Sequence, residues 1–147
     1  MYKRLLVPVD GSDISQRAMD DSLALAKALG ASVIGFVVEA LAPLPGSGAA
    51  LANYQRDVAA HEAETAAHAA RILRPFAERA AQAQVPYESV VDRDDDVAGA
   101  IARAADSRGA DLIVMVTHGR GMFGELLFGS QTKNVMSRTR VPMLVLH

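Results

Sequence analysis

The stretch Leu5-Leu6-Val7-Pro8-Val9-Asp10-Gly11-Ser12 decides the fold. Five apolar residues in a row, without polar alternation, read as a strand buried on both faces. Asp10, Gly11 and Ser12 close the run with turn chemistry, and Ser12 or Asp13 can cap the helix that follows. A buried strand running into a helix is the repeating unit of a parallel α/β sheet. Outward from it, the unit recurs. The first helix is expected to reach Leu29, with Ala18, Leu25 and Leu29 on one face and Gly30 as its stop. Residues 32–38 read as the second strand. Residues 41–52, with Pro43, Pro45, Gly46 and Gly48, read as a loop long enough to move over a site. The Ala-, Glu- and Arg-rich segment from about Asn53 to Gln84 predicts a helix that Pro75 should kink or split. Residues 87–91, 111–116 and 141–146 read as the remaining strands. Between them, Val97, Ile101, Ala104 and Ala105 form a helical stripe, and a short helix runs from Gln131 to about Thr139. Five strands alternating with four helices predict an α/β sheet, mostly parallel, with helices on both faces. Ligands of such sheets bind beyond the carboxyl ends of the strands, at the switch in strand order.

Composition narrows the class. The chain has 147 residues, 15 Lys+Arg against 17 Asp+Glu, and a formal net charge of −2. One domain is the expectation for this length. Half the residues are hydrophobic and 22% are charged, an ordinary soluble balance. Near-neutral charge argues against nucleic-acid or anionic-membrane binding. The absence of cysteine excludes disulfides, thiol nucleophiles and thiolate metal sites. With no signal-like segment and no apolar run of membrane length, a soluble cytoplasmic protein is expected.

The most informative loop spans residues 117–130. Gly119, Gly121 and Gly124 match GxGxxG, but only 23 residues follow Gly124 and no Asp or Glu follows Glu125. A dinucleotide site needs a full strand–helix–strand unit with an acid about 20 residues on, so that reading fails. Nor is this a Walker loop, since Ser130 stands where the lysine should be. A helix start fits better. Gly129 and Ser130 precede Gln131 and Thr132, and free N–H groups at a helix N-terminus attract phosphate. Ser130 and Thr132 add hydroxyl donors, Gly119 permits a close backbone approach, and Arg120 and Lys133 supply nearby cations. His118 lies in the same loop, within reach of such an anion. The plainer alternative is that Ser130 only caps the helix and the glycines only shape the loop.

Taken together, these motifs resemble those of the universal stress protein family over nearly the whole chain. The opening strand and turn, residues 109–115, and Val141-Pro142-Met143-Leu144-Val145 resemble its first, fourth and closing strands. Gly119, nine residues, then Gly129-Ser130 matches most of its ATP signature, G-x-x-G-x9-G-[ST]. The resemblance implies a Rossmann-like sheet of order 3-2-1-4-5 and a homodimer paired through the fifth strand, bounded by Val141 and Leu146. It also implies ATP over the first and fourth strands. Pro8, Val9, Asp10 and Val38 would surround adenine and ribose; Gly119, Gly129, Ser130, Gln131 and Thr132 would cradle phosphates, with or without Mg²⁺. There are two departures. Val116 stands where the signature has its first glycine, and a β-branched residue there crowds a ligand. After the third strand, Asp92 and Asp94-Asp95-Asp96 would repel phosphate without a divalent cation, or simply cap and charge the next helix.

No catalytic constellation emerges. His61 and His68, seven apart on one helix, read as solvated, and His118 has no orienting carboxylate in the sequence. The expected function is an ATP-binding sensor or signalling module. The alternatives are a relative that acts only through protein contacts, and a slow ATPase or autophosphorylating protein with Ser130 or Thr132 as acceptor.

Overall fold

The computed structural model describes residues 1–117 and 129–147. In chain order the elements are β1 (Arg4–Pro8), α1 (Asp13–Leu29), β2 (Ser32–Glu39), α2 (Leu51–Ala83), β3 (Tyr87–Arg93), α3 (Val97–Ser107), β4 (Leu112–Val116), α4 (Ser130–Met136) and β5 (Met143–Leu146). All the strands pair in parallel, in the order β3-β2-β1-β4-β5. That is the α/β architecture the sequence pattern predicts.

Period-two alternation of β1 divides the core. Leu5, Val7 and Val9 pack with Met19 and Leu23 of α1 and with Ile72, Leu73 and Phe76 of α2. Leu6 points the other way, into Ile101 of α3 and Val135 of α4. Both faces of β1 are therefore dry, which is why its sequence is continuously apolar. On α1 the buried face is Ala18, Met19, Ser22, Leu23 and Ala26, with Leu25 and Leu29 half-buried at its margin. Asp111 staples the opposite end of the sheet. Its carboxylate accepts from the backbone N–H groups of Lys3 (2.8 Å) and Arg4 (2.9 Å).

Three local expectations change. Pro75 does not split α2, which runs unbroken for 33 residues. An interior proline costs about 3 kcal/mol. Ile72, Leu73, Phe76 and Ala80 are buried on both sides of it, and each large apolar side chain recovers roughly 1.5–3 kcal/mol. Ser12 occupies the N-cap of α1, but its side chain makes no capping bond and donates to Asp10 instead. Finally, β5 starts at Met143 rather than Val141, because Pro142 offers no N–H and contributes only its carbonyl, to Ile113 N–H at 2.9 Å.

Gly35 of β2 exists to admit a neighbour. A Cβ there would meet the Tyr87 hydroxyl, with Tyr87 Cζ at 2.8 Å and Phe76 Cδ1 at 2.9 Å. The Tyr87 and Phe76 rings meet over this gap, centroids 5.0 Å apart and planes tilted by 57°. Gly35→Ala should lower stability by about 1–3 kcal/mol in urea unfolding. Part of that loss should return in a Tyr87→Phe background, which removes the obstructing oxygen. An unchanged midpoint in the single variant would contradict this packing.

Candidate functional site

The cleft begins where one ladder stops. β1 pairs with β2 from Arg4 to Pro8, but with β4 only at Leu5–Leu112 and Leu6–Ile113. Alternate residues of a parallel strand bond to opposite neighbours. Val9 N–H reaches Phe36 O of β2 at 2.9 Å, so the nitrogen of Pro8 faces β4 and has no proton to give. Proline in a central strand is tolerated here because pairing on that side has ended. Above this point the carboxyl ends of β1 and β4 wall a cavity of about 450 Å³.

Asp10 stands at its mouth. One carboxylate oxygen, Oδ1, accepts from Ser12 N–H (3.0 Å), Ser12 Oγ–H (2.6 Å) and Ser15 Oγ–H (2.8 Å). Ser15 Oγ in turn accepts from Asp10 N–H at 3.0 Å. The rotamer is therefore fixed, while Oδ2 makes no hydrogen bond among the described residues. Partial burial pushes the carboxyl pKa up, but the bonds from Ser12 and Ser15 outweigh it and hold Asp10 below its ordinary range. The site thus presents an ionised, pre-oriented acceptor.

The opposite wall is residues 129–132. Lys133 N–H makes the first helical bond, to Gly129 O at 3.2 Å. The N–H groups of Ser130, Gln131 and Thr132 precede it and lack intrahelical partners. Gly129 supplies no side-chain cap. Thr132 is only 2% exposed, yet its hydroxyl makes no hydrogen bond among the described residues. A phosphate-sized anion would satisfy all of these donors.

Pro8, Val9, Asp10, Val38, Val116, Gly129, Ser130, Gln131 and Thr132 all line this one cavity. His118, Gly119 and Arg120 lie outside the described residues. Sequence reasoning missed Ser15 and Thr117, which also line it. Ser15 could have been found from its spacing of five after Asp10. Thr117 is the residue after the fourth strand, and its N–H donates to Leu146 O at 2.9 Å.

The acidic run after β3 is structural. Asp96 caps α3 by accepting from Gly99 N–H at 3.2 Å and pairs with Arg138 at 2.5 Å. The Gly99 N–H bond, with Arg138 beside it, holds Asp96 below the ordinary carboxylate range. Asp94 pairs with Arg103, and Asp95 Oδ1 accepts from Leu41 N–H at 3.1 Å. The histidines of α2 are not merely solvated, as their spacing suggested. His68 Nδ1 meets the buried Glu39 carboxylate at 2.6 Å, and His61 Nε2 lies 3.0 Å from Ala40 O. Both brace the end of β2 just beyond Val38. Among the described residues no His, Asp or Glu cluster could hold a metal, and no helix is long and apolar enough to cross a membrane.

Residues 1–147 match the profile of the universal stress protein family. A universal stress protein of Thermus aquaticus is 35% identical over 145 residues, covering 99% of this chain and 98% of that protein. A universal-stress-family protein of Burkholderia pseudomallei superimposes with a TM-score of 0.74 at 27% identity, covering 99% and 96% of the two chains. A universal stress protein solved in complex with cAMP superimposes with a TM-score of 0.70 at 28% identity, covering 99% and 97%.

The Asp10 network makes a prediction about pH. Because the folded carboxyl titrates below its ordinary value of 3.8, its contribution to stability is fully present above that value. It is lost as pH falls through the lowered folded value. The stability gap between the wild type and Asp10→Asn, from urea unfolding, should be constant above about pH 5 and shrink below about pH 4. A gap that widens toward acid would contradict the assignment.

Proposed function

The chain belongs to the universal stress protein family, and we propose that it binds an adenine nucleotide, ATP, in the cleft above β1 and β4 as a sensor or signalling module. The observation that carries this reading is the pairing, in one cavity, of an ionised carboxylate with a free oxygen and a set of unsatisfied anion donors. Asp10 Oδ2 would accept from ribose hydroxyls. Pro8, Val9 and Val38 would offer apolar surface to the base. The N–H groups of Ser130, Gln131 and Thr132, with the Ser130 and Thr132 hydroxyls, would hold phosphates; His118, Gly119 and Arg120 join them on spacing alone. A volume of about 450 Å³ lies within the range of nucleotide- and drug-sized pockets. The cAMP bound by a relative at 28% identity supports an adenylate ligand. Any Mg²⁺ would enter on the phosphates, since Asp94, Asp95 and Asp96 are already committed to protein partners.

Val116 favours a second reading, in which the protein acts through contacts alone. Its side chain lines the cavity at the position where the signature has glycine, and packs against the α1 and α2 core.

Gly129 provides a clean test. A Cβ there meets nothing within 4 Å among the described residues, and its φ of −51° suits any residue. Gly129→Val should therefore fold normally and weaken ATP binding at least about tenfold in calorimetry. Asp10→Ala, losing a charged hydrogen bond, should weaken it about 10–100-fold. Unchanged affinity in both variants would remove the nucleotide from this cleft. If wild type does not bind but Val116→Gly does, the contact-only reading holds.

The outer edge of β5 pairs with nothing among the described residues, although β4 covers its other edge. An open apolar edge invites pairing with a second copy. Sedimentation equilibrium should return twice the chain mass of 15.6 kDa. A monomer at tens of micromolar would contradict a β5-paired dimer.

A further inference from the structure

A second cavity, of about 250 Å³, lies between α1 and α2. Asp10 and Gly11 form one wall, Met19 and Ile72 are buried beneath it, and Gln16, His68 and Arg71 stand around it. Nothing in the nucleotide reading uses these three polar side chains.

Arg71 has no partner among the described residues, and Gln16 has both amide protons to spare. On α2, Arg74 pairs with Glu78 at 3.3 Å, and Arg79 pairs with Asp20 at 3.0 Å. Arg71, earlier on the same helix and lining the cavity, makes no hydrogen bond or ion pair among the described residues. Its planar guanidinium is suited to bidentate contact with an oxyanion. Gln16 Oε1 accepts from Arg79 Nη2 at 2.5 Å. That bond orients the amide and leaves both protons of Nε2 uncommitted. His68 Nδ1 donates to Glu39 Oε1 at 2.6 Å, which fixes the ring and leaves Nε2 without a partner among the described residues. Asp10 is the one carboxylate lining the cavity; the donors of Ser12 and Ser15 cover its Oδ1, and the charge on its free Oδ2 is one that the Arg71 guanidinium has to offset when an anion enters.

We propose that the α1–α2 cavity binds a small tetrahedral oxyanion, inorganic phosphate or sulfate, with Arg71 as the principal contact and Gln16 Nε2 as a supporting donor. The site is separate from the nucleotide cleft, although Asp10 walls both, and it does not depend on that cleft being occupied. Free phosphate and a phosphate lodged in the cleft are distinguished by the variants below.

Inorganic phosphate titrated into ¹⁵N-labelled protein at constant ionic strength, against chloride, should shift the Gly11 amide, the Gln16 side-chain amide and the Arg71 Nε–H signal together, and saturably. Arg71→Gln, at an exposed position, should keep the wild-type amide spectrum and weaken phosphate at least about tenfold. Arg71→Lys, which keeps the charge but not the fork, should fall between them. Gly129→Val should leave phosphate affinity within about twofold of wild type. The proposal is overturned if phosphate shifts do not saturate or are matched by chloride. It is equally overturned if Arg71→Gln binds as well as wild type, or if Gly129→Val abolishes binding, which would place the anion in the cleft.

Discussion

The mouth of this protein is organised by the point at which β1 and β4 stop pairing. Two residue pairs join them, and then Pro8 offers β4 no proton. Had the ladder continued, Val9 and Asp10 would have been drawn against Val116 and Thr117, and no cavity would open. Instead β1 keeps its bonds to β2 through Pro8 and Val9 while its other edge is released. Asp10 is thereby delivered to the rim, where Ser12 and Ser15 seize one oxygen and leave the other. The same serines begin α1, so strand end, helix start and acceptor form one continuous unit.

Around that unit, charge is used mainly for mechanical ends. Asp96 and Arg138 tie the start of α3 to the end of α4. Glu39, only 8% exposed, is the costliest carboxylate to bury, and His68 meets it from α2. These ties hold the floor and flanks of the cleft while contributing no charge to it. The helix start at residues 130–132 in the cleft and the exposed Arg71 beside it keep donors without partners among the described residues.

Much of this was legible from the sequence. The apolar runs of β1 and β4, Gly30 after α1 and the Ala-rich α2 follow from local rules, and the strand order follows the family resemblance. Nine of the residues singled out beforehand come together in one cavity. What the sequence hid depends on distant partners. Nothing near Pro75 announces that Phe76 and Leu73 would hold the helix through it. His68 looked solvated because Glu39, its partner, is 29 residues away. Asp94, Asp95 and Asp96 could be read as repelling phosphate or as capping the next helix; Asp96 does cap it, while their partners Arg103, Arg138 and Leu41 N–H are distant in sequence. In each case long-range pairing decided what local propensity left open.

The most direct test of the account is a crystal structure of the wild-type protein grown with ATP and Mg²⁺. The account predicts density in the cleft, with a ribose hydroxyl on Asp10 Oδ2 and a phosphate on the N–H groups of residues 130–132. An empty cleft at saturating nucleotide, or a nucleotide bound elsewhere, would contradict it.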